Sequence, residues 1–141
     1  MIEEIRVKEK LVALVIRKNY EKPGISFLTP DDFSQQLAYI HHPQGKIIEA
    51  HVHNCVPREV HYTQEVLVIK KGLLRVDLYS DEREYIKSLV LGAGDVILLA
   101  SGGHGFEMLE EVEMIEIKQG PYAGGMDKVR FEGIKSEEVT V

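Results

Sequence analysis

Apolar residues along the chain recur in short β-rich runs, not in the three-and-four spacing of an amphipathic helix. Between the runs stand Gly, Pro, Asn and Asp, the residues whose backbones turn most readily. The pattern predicts strands at Leu11 to Arg17, Ile25 to Leu28, Gln36 to His41 and Lys46 to His53, the last followed by a long loop through Thr63. "EVLVIKKG" and "LLRVDLY" read as a hairpin turning at Gly72, and "SDERE" as a turn before the strand "YIKSLVL". After the tight turn "GAGD", further strands are expected at Asp95 to Ala100, Gly105 to Leu109 and Val112 to Lys118. Only "PDDFSQQLA" has the makings of a helical turn, with Pro30 and Asp31 near its start.

Eight or more short strands in 141 residues imply an all-β domain. Closure into a small antiparallel β-barrel is expected, because closure removes the unpaired edges that invite aggregation. The chain reads as a single domain, residues 1–141, with an irregular tail over 120–141. Within that tail "KVRFEGI" is a candidate last strand, and "KSEEVTV" a segment that is disordered or pairs with a partner subunit.

Composition narrows the function. Hydrophobic residues at 44% and charged residues at 28% are those of a soluble globular chain. The net charge of −6 and the lack of a Lys/Arg cluster argue against nucleic acid as a partner. The longest apolar run, "LVALVI", is far too short to span a bilayer, so no membrane role is expected. The opening "MIEEIRVKEK" lacks the apolar segment of a signal peptide, and a cytoplasmic location is the expectation. A lone cysteine, Cys55, agrees with a reducing compartment and reads best as an inert small residue.

The stretch "HVHNC" at 51–55 holds the candidate chemistry. On a strand, His51 and His53 share one face with Ile47 and Glu49, while Ile48, Ala50 and Val52 take the other. Both imidazoles can then reach one ion. The competing readings are a pair of catalytic bases without metal, and two polar residues turned to water. Glu65 opens a strand whose same-face neighbours are Leu67 and Ile69, so a buried carboxylate there needs a partner. His104 follows "SGG" and shares its face with Phe106 and Met108. In "VEMIEIKQGPY", Glu113, Ile115 and Ile117 alternate with Met114, Glu116 and Lys118. Glu116 and Lys118 either line the cavity as an ion pair or lie outside it in water, and the second is favoured because Ile115 and Ile117 then fill the core. Arg58, His61, Tyr62 and Thr63 are loop residues placed to meet a sugar hydroxyl or a phosphate, or simply water.

With Gly45, His51, His53, Glu65 and Gly72, and then Gly94, Gly102 and His104, residues 45–118 resemble the cupin superfamily. Its first motif is a glycine, a His-x-His pair, a glutamate and a second glycine; its second adds a third histidine after a glycine. The resemblance implies a double-stranded β-helix of the jelly-roll type with His51, His53, Glu65 and His104 as ligands of one metal. This sequence departs from the pattern in three places. Eleven residues, "NCVPREVHYTQ", separate His53 from Glu65 where the family has a much shorter interval; Ala100 replaces a proline; and His104 comes one residue early. His61, at the family's usual distance from Glu65, is a rival ligand or a catalytic base.

Three imidazoles and one carboxylate suit divalent Zn, Ni, Fe, Mn, Co or Cu, and leave positions open for water or substrate. Resemblance to single-domain sugar-isomerase and epimerase cupins implies isomerisation of a small, sugar-derived molecule. Tyr122, beside Pro121, is a candidate acid at the opening. The alternatives are a metal-dependent dioxygenase and a non-catalytic small-ligand-binding module. A homodimer is expected, with the N-terminal strand and the C-terminal tail as its edges.

Overall fold

The computed structural model describes residues 1–141 and is built of antiparallel β-sheets with no α-helix. Ten strands run in chain order: β1 (Ile2–Val7), β2 (Lys10–Ile16), β3 (Gly24–Phe27), β4 (Ala38–His41), β5 (Glu65–Lys71), β6 (Leu73–Tyr79), β7 (Tyr85–Gly92), β8 (Val96–Leu99), β9 (Gly103–Met108) and β10 (Glu113–Lys118). Five of them form a sheet in the order β1-β2-β8-β5-β10, three form a second sheet β7-β6-β9, and β3-β4 stands as a separate hairpin.

Burial on one face or two explains the sequence patterns. The larger sheet turns Val15, Leu67, Ile69, Ile97 and Leu99 inward against Leu74, Val76, Leu78, Leu89 and Leu91 of the three-stranded sheet. Its other face carries Leu14, Val66 and Leu98, covered by Tyr20, Leu28, Phe33 and Leu37 from the β3-β4 region. β2 is therefore buried on both faces, which is why "LVALVI" runs unbroken and does not alternate. A bulge lies in the same strand. Ile5 pairs with Ala13 and Arg6 with Leu11, leaving Val12 as the extra residue, so that Val12 and Ala13 both reach the inner core.

Several expectations need correction. β1 was not anticipated, because "IEEIRV" places two glutamates side by side; pairing with β2 through a turn at Lys8, φ 57°, makes it an edge strand. The strand expected at Lys46–His53 is not formed: residues 46–63 have no ladder partner, and every residue from Pro43 to Thr63 is exposed. "PDDFSQQLA" contributes only one turn, with Phe33 N–H donating to the Pro30 carbonyl at 3.2 Å. "KVRFEGI" is not a strand either. The tail instead crosses the outer face of the three-stranded sheet, where the Tyr79 and Tyr85 hydroxyls accept the N–H groups of Ile134 and Thr140 at 2.8 and 2.9 Å. The Ser88 N–H donates to the Thr140 carbonyl at 2.8 Å, so the last residues cap the edge of β7.

With no strand at 46–53, the free edges of β9 and β10 are not bridged, and the hydrogen-bonded sheets stay open on that side. No helix is long and apolar enough to cross a membrane.

Candidate functional site

The open side between β9 and β10 is where titratable side chains meet. In β5, Leu67 and Ile69 face the inner core, and alternation turns Glu65 the same way. In β9, His104 is paired with Leu78 and Phe106 with Val76, both core residues of β6, so His104 also faces inward. Glu65 and His104 thus project from different sheets toward one another. His104 Nε2 lies 3.6 Å from Glu65 Oε2, close but beyond hydrogen-bond length.

Register decides the orientation of β10. Met114 pairs with Ile69, Glu116 with Leu67 and Lys118 with Glu65, which puts all three on the inner face. Ile115 and Ile117, opposite Val68 and Val66, face outward and are 49% and 48% exposed. The sequence favoured the reverse. Cross-strand register outweighs the preference of isoleucine for burial, because one strand cannot flip without losing its ladder. Lys118 Nζ consequently lies 3.7 Å from Glu65 Oε1, and Glu116 stands on the same face two residues before it.

Electrostatics follow from this crowding. Burial raises the Glu65 carboxyl above its ordinary range, and the neighbouring Glu116 pushes it the same way while Lys118 opposes. Burial lowers the His104 imidazole, with Glu116 opposing and Lys118 and Lys128 reinforcing. His104 is therefore neutral at pH 7, with a ring lone pair available, and the His104–Glu65 approach is not an ion pair there.

The local fold requires Gly102, two residues before His104. Its φ is 73°, and a Cβ there would come within 2.1 Å of the Tyr79 carbonyl oxygen. Gly72, at φ 89°, plays the same part in the β5-β6 turn, where a Cβ would meet the Glu111 carbonyl oxygen at 1.9 Å.

The remaining anticipated residues lie elsewhere. His51 and His53 stand on the exposed 43–63 segment, their rings edge to face with centroids 5.3 Å apart. His51 Nδ1 bonds the Glu49 carbonyl at 2.8 Å, which leaves its Nε2 free. His61 is exposed and its Nε2 lies 3.7 Å from Glu59. Tyr122 is 95% exposed, and Cys55 is exposed and free. The structure brings Glu65 and His104 together, but gathers no three His, Cys, Asp or Glu side chains into a group able to hold an ion. Glu65 and His104 are of donor types that a divalent transition metal accepts, a buried carboxylate and a neutral imidazole, while His51 and His53, on the exposed segment, are not beside them. Glu116 and Lys118 are the site neighbours that the sequence misplaced. The cross-strand pairing of Lys118 with Glu65 was the signal, and it is invisible until register is known.

The chain matches no family model, no curated protein sequence and no solved structure.

Proposed function

We propose that the protein is a cupin-like metalloprotein that binds a divalent transition metal between its two sheets and acts on a small, polar, sugar-derived molecule by isomerisation or epimerisation. The observation that carries this reading is the approach of His104 Nε2 to Glu65 Oε2, 3.6 Å apart across two sheets and 39 residues apart in sequence. A carboxylate and a neutral imidazole on facing inner strands form half of a metal site. The other half is the pair His51 and His53. In this reading segment 46–53 adds to the open side left by β9 and β10, closes the barrel and carries the two imidazoles to the first pair. Its alternation of Ile48, Ala50 and Val52 with Glu49, His51 and His53 is that of a strand in want of a neighbour.

The metal supplies Lewis-acid polarisation of a substrate oxygen when bound. The chain's own residues have other tasks. His61, on the exposed stretch 43–63, is the candidate base for a proton next to a carbonyl, and Tyr122 the candidate acid at the opening. The inner leucines and valines exclude water from the base of the site. Two such copies form the expected homodimer in the cytoplasm. A dioxygenase and a non-catalytic ligand-binding module remain the alternatives to an isomerase, and oxygen consumption by the iron form separates the first of them.

Elemental analysis of protein purified without added metal tests the reading. About one equivalent of a transition metal is expected, lost in His104→Ala and reduced in His51→Ala. Unchanged metal content in both variants contradicts the assigned site.

A further inference from the structure

The β3-β4 hairpin leaves its outer face bare. Ile25 pairs with Ile40 and Phe27 with Ala38, so strand alternation sets these apolar residues on one side. The other side is turned inward: the Tyr39 and Tyr20 rings stand edge to face with centroids 4.8 Å apart, and Tyr20 packs against the second core cluster. On the outer side Ile25, Phe27 and Ile40 are 53, 68 and 54% exposed. Side chains of that size leave on the order of 400 Å² of contiguous apolar surface, a patch large enough to be functional on a monomer. A two-stranded hairpin is marginal in water by itself, and this one pairs with no third strand.

Charge decides what can cover this face. Between Pro23 and Gly45 the only charged residues are Asp31 and Asp32, in the connection between the two strands, although charged residues make up 28% of the chain. Free edges elsewhere are guarded, by Glu3, Glu4 and Arg6 on β1, Glu113, Glu116 and Lys118 on β10, and Glu107 on β9. β3 and β4 carry no such guard. We propose that two copies of the chain associate through this face, Phe27 of each packing against Ile25 and Ile40 of the other about a two-fold axis. Two chains of charge −6 repel one another, and an uncharged apolar face lets them meet without setting carboxylate against carboxylate. The same face on both partners is what a two-fold contact requires. A membrane fits less well, because no lysine or arginine lies within residues 23–45 to meet anionic headgroups. The two faces together bury on the order of 1,000 Å², at the lower end for specific interfaces, which makes the dimer weak and concentration-dependent. The inference rests on the homodimer of the proposed function, moves its interface from the N-terminal strand and the tail to this hairpin, and is independent of the metal.

Sedimentation equilibrium of the full-length protein, from about 1 to 300 μM, tests the inference. A monomer–dimer equilibrium with a Kd of roughly 1–100 μM is expected, tightening by about twofold or more as added salt screens the like charges. Phe27→Glu and Ile40→Glu are each expected to weaken the dimer by at least about tenfold, while Tm stays close to that of the unmodified chain. Phe27→Ser, which adds no charge, is expected to weaken it less and serves where a glutamate unfolds the hairpin. Val52→Glu, on the exposed 43–63 segment, is expected to leave the dimer unchanged. A dimer that Phe27→Glu and Ile40→Glu do not weaken, that Val52→Glu weakens instead, or that loosens with salt overturns the placement of the interface and leaves the homodimer standing. A chain monomeric throughout this range overturns both, and leaves the face to the chain's own 43–63 segment or to another protein.

Discussion

Two regions of the molecule carry the histidines and carboxylates of interest, and they differ in what holds them. Glu65 and His104 stand on strands paired to core strands; Leu67, beside the first, belongs to the buried cluster, and Phe106, beside the second, packs against it. His51, His53 and His61 stand on 21 consecutive exposed residues, 43–63, with no ladder partner. The first pair is positioned by the fold before any ligand arrives. The second has no ladder or core contact to hold it. Loops longer than about 12–15 residues without secondary structure are uncommon inside compact domains, and are usually functional when they occur. Exposure of Ile47, Ile48, Val52, Val56 and Val60 along this one says the same, since apolar residues are seldom left together in water.

Substitutions in the two regions separate them most strongly in stability. Leu74→Ala and Leu98→Ala remove fully buried side chains and are expected to cost about 2–5 kcal/mol. Val52→Ala, at 88% exposure, is expected to stay within about 0.5 kcal/mol. Chemical denaturation measures both. A cost of several kcal/mol at Val52 would show that the segment is already packed in the free protein.

Gly102→Ala comes next in size. A Cβ 2.1 Å from the Tyr79 carbonyl forces the backbone to move, and the left-handed φ adds strain of about 1–3 kcal/mol. Because His104 follows two residues later, the same change is expected to shift the His104 ring resonances in an NMR spectrum. Gly45→Ala, where φ is 88° but no atom lies within 4 Å, is expected to cost less and to leave His104 undisturbed.

Smaller effects appear with pH in chelator-treated protein. The His104 imidazole is lowered in the fold, so it contributes stability that is present above the ordinary value of 6.5 and lost as pH falls through the lowered one. Glu65 has the opposite sign. Its raised carboxyl contributes stability that is present below the ordinary 4.5 and lost as pH rises through the raised value. Between about pH 7 and pH 5, Tm is expected to fall less steeply in His104→Gln than in the unmodified chain. Glu65→Gln is expected to gain in relative stability as pH rises from about 4 toward neutrality.

Much of the sheet structure was legible in the sequence because its strands satisfy local rules. "EVLVIKKG" and "LLRVDLY" turn at a glycine that no other residue can replace, and the run "LVALVI" is apolar on both sides because both sides are covered. β1 was not legible, since an edge strand can carry Glu3 and Glu4 in succession; the first of these pairs with Arg17 across the ladder. The face of β10 was misread for a different reason. Ile115 and Ile117 are better core residues than Glu116 and Lys118 taken alone, but the register with β5 gives the inner positions to the charged pair. At Lys46–His53 the alternation is strand-like, yet pattern specifies only which faces a strand has, not whether a neighbour is present. The approach of Glu65 to His104 was expected on the strength of the resemblance alone, as nothing local in either stretch identifies the other.

Amide hydrogen exchange over residues 46–53, measured with and without added zinc, tests the central claim most directly. In the free protein these amides are expected to exchange close to the rate of an unstructured chain, because none is in a ladder. With zinc, the account expects exchange to slow by at least about tenfold in the unmodified chain, and not in His104→Ala. Exchange over 46–53 that zinc leaves unchanged, while Glu65 and His104 bind the ion, would contradict the claim that the two regions form one site.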